Sequence, residues 1–283
     1  MAADRTPARS TTDAGGPWTP DEEPALPARS VIASTLLGVR PPRLPTSLLV
    51  RSCGLFGIRP GTARVAISRM AAAGELEADG DGYALGPDLR ARQDRQDLSR
   101  QGTTTPWEAS RDGWHAAVVT GEARPAADRA ALRRAARALR LAEVREGVWV
   151  RPANVDLDAQ PEALGIVDGQ CLRMRAHPDG EQAALAAGLW DLAAWSARAW
   201  RLIDALRASR PGLDAGRRDA LPADFVLSAA ALRHLQSDPL LPSSLLPVDW
   251  PGDDLRAAWR SWNRSFGAVW SDWYRAAQAT VPD

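Results

Sequence analysis

The run Pro60-Gly61-Thr62-Ala63-Arg64-Val65-Ala66-Ile67-Ser68-Arg69-Met70, closed by Gly74, decides how the first third of the chain is read. Pro60 suits the first turn of a helix, where a missing N–H costs nothing, and Gly74 suits its end. Ala63, Ala66, Ile67 and Met70 recur at helical spacing and form one apolar stripe. The opposite face carries Thr62, Arg64, Val65, Ser68 and Arg69. Arginine can hold guanine through two hydrogen bonds, hydroxyls reach phosphates or base edges, and valine can touch a thymine methyl. The plain alternative is an ordinary solvated helix, so the surroundings of this run must arbitrate.

Upstream, Ala28–Leu37 reads as a short apolar helix, stopped by Gly38 and the Pro41-Pro42 pair. A second helix begins at Thr46 or Ser47 and carries Leu48, Leu49, Val50 and Leu55. Downstream, Glu75–Ala78 and Tyr83–Leu85 flank Asp79-Gly80-Asp81-Gly82, a hairpin signal. Helix, helix, close turn, helix, hairpin is the order of a winged helix-turn-helix. Residues 27–74 hold seven arginines and no Asp or Glu, inside a chain of zero net charge. One-signed charge on so small a unit calls for a polyanionic partner, and double-stranded DNA fits. The expected DNA-reading residues are Thr62, Arg64, Val65, Ser68 and Arg69, with Arg43 and Arg59 on the phosphates. The hairpin itself is acidic (Glu75, Glu77, Asp79, Asp81), so it either avoids the phosphates or packs against the protein.

The 283 residues allow about two domains. All 35 basic residues are arginine, a bias that GC-rich coding explains without any partner. Cys53 and Cys171 are far apart and the three histidines are scattered, so neither a disulfide scaffold nor a metal site is expected. No apolar run approaches the ~20 residues of a membrane span. Residues 1–27 are polar, lack the apolar core of a signal peptide and read as a disordered tail. A cytoplasmic protein is expected.

From 88 to 106 the chain is polar and charged and reads as a linker that begins as a helix. Then come a strand at Trp114–Val119, an amphipathic helix over 125–141, and strands at Gly147–Val155 and Gln170–Ala176, a small α+β unit. The arginine face of the 125–141 helix reads as solvated, balanced by Asp128, Glu122 and Glu143. From Glu181 onward helices dominate, over 181–209, 222–236 and the tryptophan-rich end. Twelve tryptophans suit a large core. A small-molecule sensor can also use them, and the candidate effector residues are Trp149, Trp190 and Trp195 with Arg151, Arg173 and Arg175. No nucleophile motif, phosphate loop or metal-protease motif occurs, so no catalytic residue and no cofactor is expected.

The stretch from Ile58 to Leu76, with Arg64, Ala66, Ser68, Arg69, Gly74 and Leu76, resembles the recognition helix of the PaaX family of transcriptional regulators. The strings Gly147–Asn154 (GVWVRPAN), Asp238–Pro242 (DPLLP), Leu245–Pro247 (LLP) and Asp249–Gly252 (DWPG) are similar to the family's middle and C-terminal parts. Val65, Ala63 and Glu75 depart from the family's usual residues. The resemblance implies a winged helix over 28–90, a linker over 91–110, a ferredoxin-like middle domain over 111–180, akin to small CRISPR-associated nucleases, and a helical dimerisation and effector domain over 181–283. It also implies a homodimer on a palindromic operator, repressing an aromatic-acid catabolic operon and released by an aryl-acyl-CoA such as phenylacetyl-CoA. Two other readings stay open: a regulator of similar build that answers an unrelated small molecule, and an enzyme on CoA thioesters or nucleic acid that uses the helix-turn-helix for targeting.

Overall fold

Three apolar stripes meet at the start of the chain, in a computed structural model that describes residues 16–121 and 124–278. Helices α1 (Ala28–Leu37), α2 (Thr46–Gly54) and α3 (Pro60–Ala72) close around Val31, Ile32, Leu36, Leu49, Ala63, Ile67 and Met70. The chain leaves α3 through Gly74, whose φ of 71° is the left-handed value a helix end requires. Gly74 N–H donates to Ala71 O and Glu75 N–H to Met70 O, the paired bonds of a Schellman cap. The hairpin of β2 (Leu76–Asp79) and β3 (Gly82–Leu85) follows, and a short strand β1 (Arg43–Pro45) joins it in the order β1-β3-β2. A side chain at Gly82 would lie 2.0 Å from Leu44 O, so glycine is what lets β1 pair there. Sequence periodicity did not reveal β1, because three residues ending in proline carry no alternation.

The segment expected to begin as a helix does so over 15 residues, α4 (Pro87–Gln101). Pro87 opens it and Gly102, at φ 63°, ends it. Its inward residues are Leu89, Gln93, Gln96 and Ser99, at helical spacing but mostly polar. Gln93 Nε2 donates to Leu37 O at 3.0 Å, so the buried amide is satisfied at the end of α1. The expected boundary at residue 91 therefore falls inside a helix.

After the short helix α5 (Ala109–Asp112), the chain runs β4 (Trp114–Val119), α6 (Ala126–Ala138), β5 (Ala142–Arg145), β6 (Val148–Pro152), α7 (Pro161–Asp168) and β7 (Cys171–Ala176). The strands form an antiparallel sheet in the order β5-β6-β4-β7. Helices α6 and α7 cover one face over Leu132, Ala136, Trp149, Leu164 and Val167. Trp114 and Val150, on the other face, pack with Leu192, Leu241 and Leu245.

The single helix expected over 181–209 is broken. Asp191 accepts from Ala194 N–H at 2.9 Å and starts a new helix, so α8 (Gln182–Leu189) and α9 (Leu192–Asp214) are separate. Helices α10 (Leu221–Gln236) and α11 (Gly252–Gln278) pack on α9 around Leu202, Ile203, Leu206, Leu255, Trp259 and Trp262. The expected disordered tail is corrected in part. Residues 1–15 lie outside the described residues, but residues 16–27 are packed. Trp18 is buried in the α9–α11 core, and Glu23 receives both Arg198 and Arg233. The molecule is mainly helical, 58 %, with two small sheets, which agrees with the expected mixed class. Among the described residues no helix is long and apolar enough to cross a membrane.

Candidate nucleic-acid interface

The outward face of α3 is the one the sequence pointed to. Ala63, Ile67 and Met70 are buried, whereas Thr62, Arg64, Val65, Ser68 and Arg69 are exposed on the same helix. Val65, an apolar side chain, is 50 % exposed, an arrangement that burial alone would not select. Arg59 is the N-cap residue and is also exposed. The turn before it is held by Gly57, at φ 69°, and by Phe56, which meets Phe225 of α10 edge-to-face at 5.2 Å. The thirteen residues of α3 give a rod of about 20 Å, long enough to lie along a major groove.

Electrostatics sharpen the picture beyond the sequence count. Arg29 grips Glu75 with two prongs, Nε to Oε2 at 2.8 Å and Nη2 to Oε1 at 2.9 Å. Arg40 pairs with Asp97 at 2.7 Å and Arg43 with Asp79 at 3.0 Å. Glu77 takes Arg90 of α4 at 2.6 Å. Three of the hairpin's four carboxylates, those of Glu75, Glu77 and Asp79, are thus spent on arginines of its own fold. Among the described residues, Arg59, Arg64 and Arg69 have no carboxylate partner. Such exposed pairs contribute little stability, but they decide where net charge remains. Of the seven arginines between residues 27 and 74, charge unpaired among the described residues remains on α3 and its N-cap and on Arg51 of α2. Arg43, expected on a phosphate, is engaged elsewhere in this structure.

The six expected effector residues do not come together. Trp149, Arg151, Arg173 and Arg175 share one sheet face, because Ala117 lies between Trp149 and Arg173, and His115 between Arg151 and Arg175. Trp149 belongs to the core under α6 and α7. Arg151 is fully buried and donates to Leu139 O, Pro152 O, Leu240 O and Asn154 Oδ1. Arg173 pairs with Asp168, and Arg175 donates to Asp112 O at 2.9 Å. Trp190 tilts over Trp114 on the other face, at 6.3 Å. Trp195 is stacked between His234 and Trp250, each at 4.4 Å. Each of these side chains has structural work, and together they line no single pocket. Among the described residues no group of histidine, cysteine or carboxylate side chains could hold a metal.

Comparison with known proteins places this geometry. Residues 27–88 match the family described as PaaX-like protein, and residues 190–276 match the PaaX-like protein C-terminal domain. No match was found among curated proteins. Among solved structures the chain is similar to Uncharacterized protein Rv0674 from Mycobacterium tuberculosis, with 39 % identity and a TM-score of 0.65 over 89 % of this chain and 99 % of that one.

Proposed function

The chain belongs to the PaaX-like protein family, and on that premise we propose that it is a DNA-binding transcriptional regulator whose helix α3 reads the major groove. The observation that carries this is the exposed face of Thr62, Arg64, Val65, Ser68 and Arg69, left cationic while Arg29, Arg40 and Arg43 are neutralised. Arg64 and Arg69 take base edges, Thr62 and Ser68 take phosphates or bases, Val65 takes a thymine methyl, and Arg59 takes a phosphate. Residues 28–90 act as a winged helix-turn-helix, with α2 and α3 as its two core helices and β2–β3 as its wing.

The order β-α-β-β-α-β over residues 114–176 supports a ferredoxin-like middle domain within 111–180, joined by the 91–110 segment. The helical part from 181 to 283 dimerises and carries the response, so that two copies of α3 meet a palindromic operator. The effector is an aryl-acyl-CoA of the phenylacetyl-CoA type, and its binding releases a repressed aromatic-acid operon. Release requires that the ligand bind the operator-competent and incompetent arrangements with different affinity.

The test is fluorescence anisotropy on duplex DNA from upstream of the protein's own gene, at fixed salt. Tight binding, released by phenylacetyl-CoA and not by phenylacetate, is the expected result. Binding no tighter than to random duplex overturns the DNA-reading role, and tight binding without release overturns the effector.

A further inference from the structure

The end of α4, the Thr103-Thr104-Thr105 segment, the last turn of α6, the loop over 155–160 and the end of α10 surround a cleft of about 500 Å3. That volume is in the range of small-molecule sites. Arg95, Arg134, Arg137 and Arg140 line it, against one carboxylate, Asp156. Among the described residues Arg95, Arg134 and Arg137 have no ion-pair partner. At the wall, Gln160 Nε2 donates to Ala138 O at 2.8 Å, which fixes the amide's orientation. Its Oε1 is buried with no hydrogen-bond partner, an acceptor waiting for an N–H donor.

The floor is cationic as well. Arg140, Arg151 and Arg256 lie within the junction with one buried carboxylate, Asp238. Arg140 donates to Ser99 Oγ of α4 and to the carbonyls of Gln236 and Asp238, so one guanidinium ties three parts of the chain. Arg256 repeats the pattern, with Ser99 O at 3.2 Å and Asp238 Oδ2 at 2.6 Å. Burial lowers the Arg140 guanidinium to about 10, which leaves it cationic at neutral pH. Low-dielectric walls around one sign of charge focus the field on the cleft. The non-glycine residues with positive φ among those described, Arg140 at 58° and Leu240 at 49°, both line it. Backbone held in that region clusters at ligand clamps and switches.

We propose that this three-way cleft binds a phosphorylated, nucleotide-sized anion, with phosphate oxygens on Arg95, Arg137 and Arg140 and an N–H of the organic part on Gln160. This deepens the regulator reading and rests on it. Helix α4 makes the connection: Arg90 near its start holds Glu77 of the hairpin, and Arg95 to Gln101 reach the cleft. A rod of fifteen residues, about 22 Å, therefore runs from the DNA-reading unit to the ligand. An anion bridging Arg95 of α4 and Arg137 of α6 fixes the rod's position against the middle sheet.

The full-length chain is titrated by calorimetry with ADP, pyrophosphate and adenosine, alongside the Arg95→Glu and Arg137→Glu variants. Both side chains are exposed and pair with no carboxylate, so folding is retained, and the melting temperature checks this. ADP is expected to bind saturably, more tightly than pyrophosphate, with adenosine silent, and each variant should weaken ADP about tenfold or more. Equal ADP affinity in the variants overturns the site, and pyrophosphate as tight as ADP overturns the organic part. If the variants lose duplex DNA affinity while ADP titration is unchanged, the arginines are a DNA contact and the proposal falls. Wild-type binding to duplex is measured separately, and its failure sinks the regulator reading without deciding the ADP titration.

Discussion

Arg43 of β1 and Asp79 at the end of β2 form an ion pair of 3.0 Å across the edge of the small sheet, with 51 % and 43 % of their side chains exposed. A pair so open to water holds weakly, and in the proposed DNA complex the protein's own carboxylate would compete with a phosphate for this arginine. Asp79→Asn removes the competitor and frees Arg43. Duplex affinity should rise, and the slope of log affinity against log salt should steepen by about one phosphate contact. Anisotropy titrations over a salt series measure both. An unchanged slope would show that Arg43 stays away from the backbone.

The junction under the cleft offers a stability test. Asp238 is 1 % exposed and accepts from Arg256 at 2.6 Å, while its carbonyl accepts from Arg140. Removing one partner of a buried pair costs about 3–5 kcal/mol, because the other charge is left without compensation. Asp238→Ala should lower the denaturation midpoint accordingly, because the buried Arg256 is left with only the solvent-exposed Asp253 at 3.6 Å. A loss under 1 kcal/mol would mean that water already solvates the cluster.

The tryptophan core makes a simpler claim. Trp262 is 1 % exposed, stacks on Phe266 at 4.9 Å and donates Nε1–H to Ser209 Oγ at 2.6 Å. Trp262→Ala should cost about 3–5 kcal/mol through the cavity it opens, while Trp262→Phe should lose much less. Urea denaturation distinguishes the two.

Acid titration separates two buried groups of opposite sign. Burial raises the Asp224 carboxyl to about 6, with a smaller opposing effect from Ser209 and Arg217. Its proton binds more tightly in the folded chain, so stability from this group is full below about 3.8 and is lost as pH rises through 6. Burial instead lowers His234 to about 4, and His115 likewise, with Arg175 and Arg151 adding to the effect on His115. Those two contribute stability that is present above 6.5 and lost as pH falls towards 4. Asp224→Asn should therefore fall off more steeply than wild type between pH 6.5 and 4, and gain relative to it near pH 7. Parallel melting curves of the two proteins over that range would contradict the assignment.

What the sequence could tell depended on whether burial and apolarity coincided. They coincide in α3, where Ala63, Ile67 and Met70 are both apolar and inward, so the helix and its exposed face were legible together. They part in α4, whose inward residues include Gln93, Gln96 and Ser99, so helical periodicity was present but carried by polar side chains. The wing's acids were visible, yet their partners Arg29, Arg43 and Arg90 lie on other elements, and only folding brings them together. Trp149, Arg151 and Trp195 have the residue types of a ligand site, but Trp149 is core, Arg151 is spent on carbonyls and Asn154, and Trp195 stacks on His234 and Trp250. The cleft was hidden because its walls come from five segments between Arg95 and Leu240. The arginines of α6 were its one visible trace, and they read as a solvated face.

The most direct measurement is the affinity of Arg64→Ala for duplex from upstream of the gene, set beside its affinity for random duplex at the same salt. Loss of a base-reading arginine should weaken the specific complex by about 1–3 kcal/mol and leave the random one nearly unchanged. Equal losses on both duplexes would make Arg64 a phosphate contact. No loss on either would contradict the claim that α3 reads DNA.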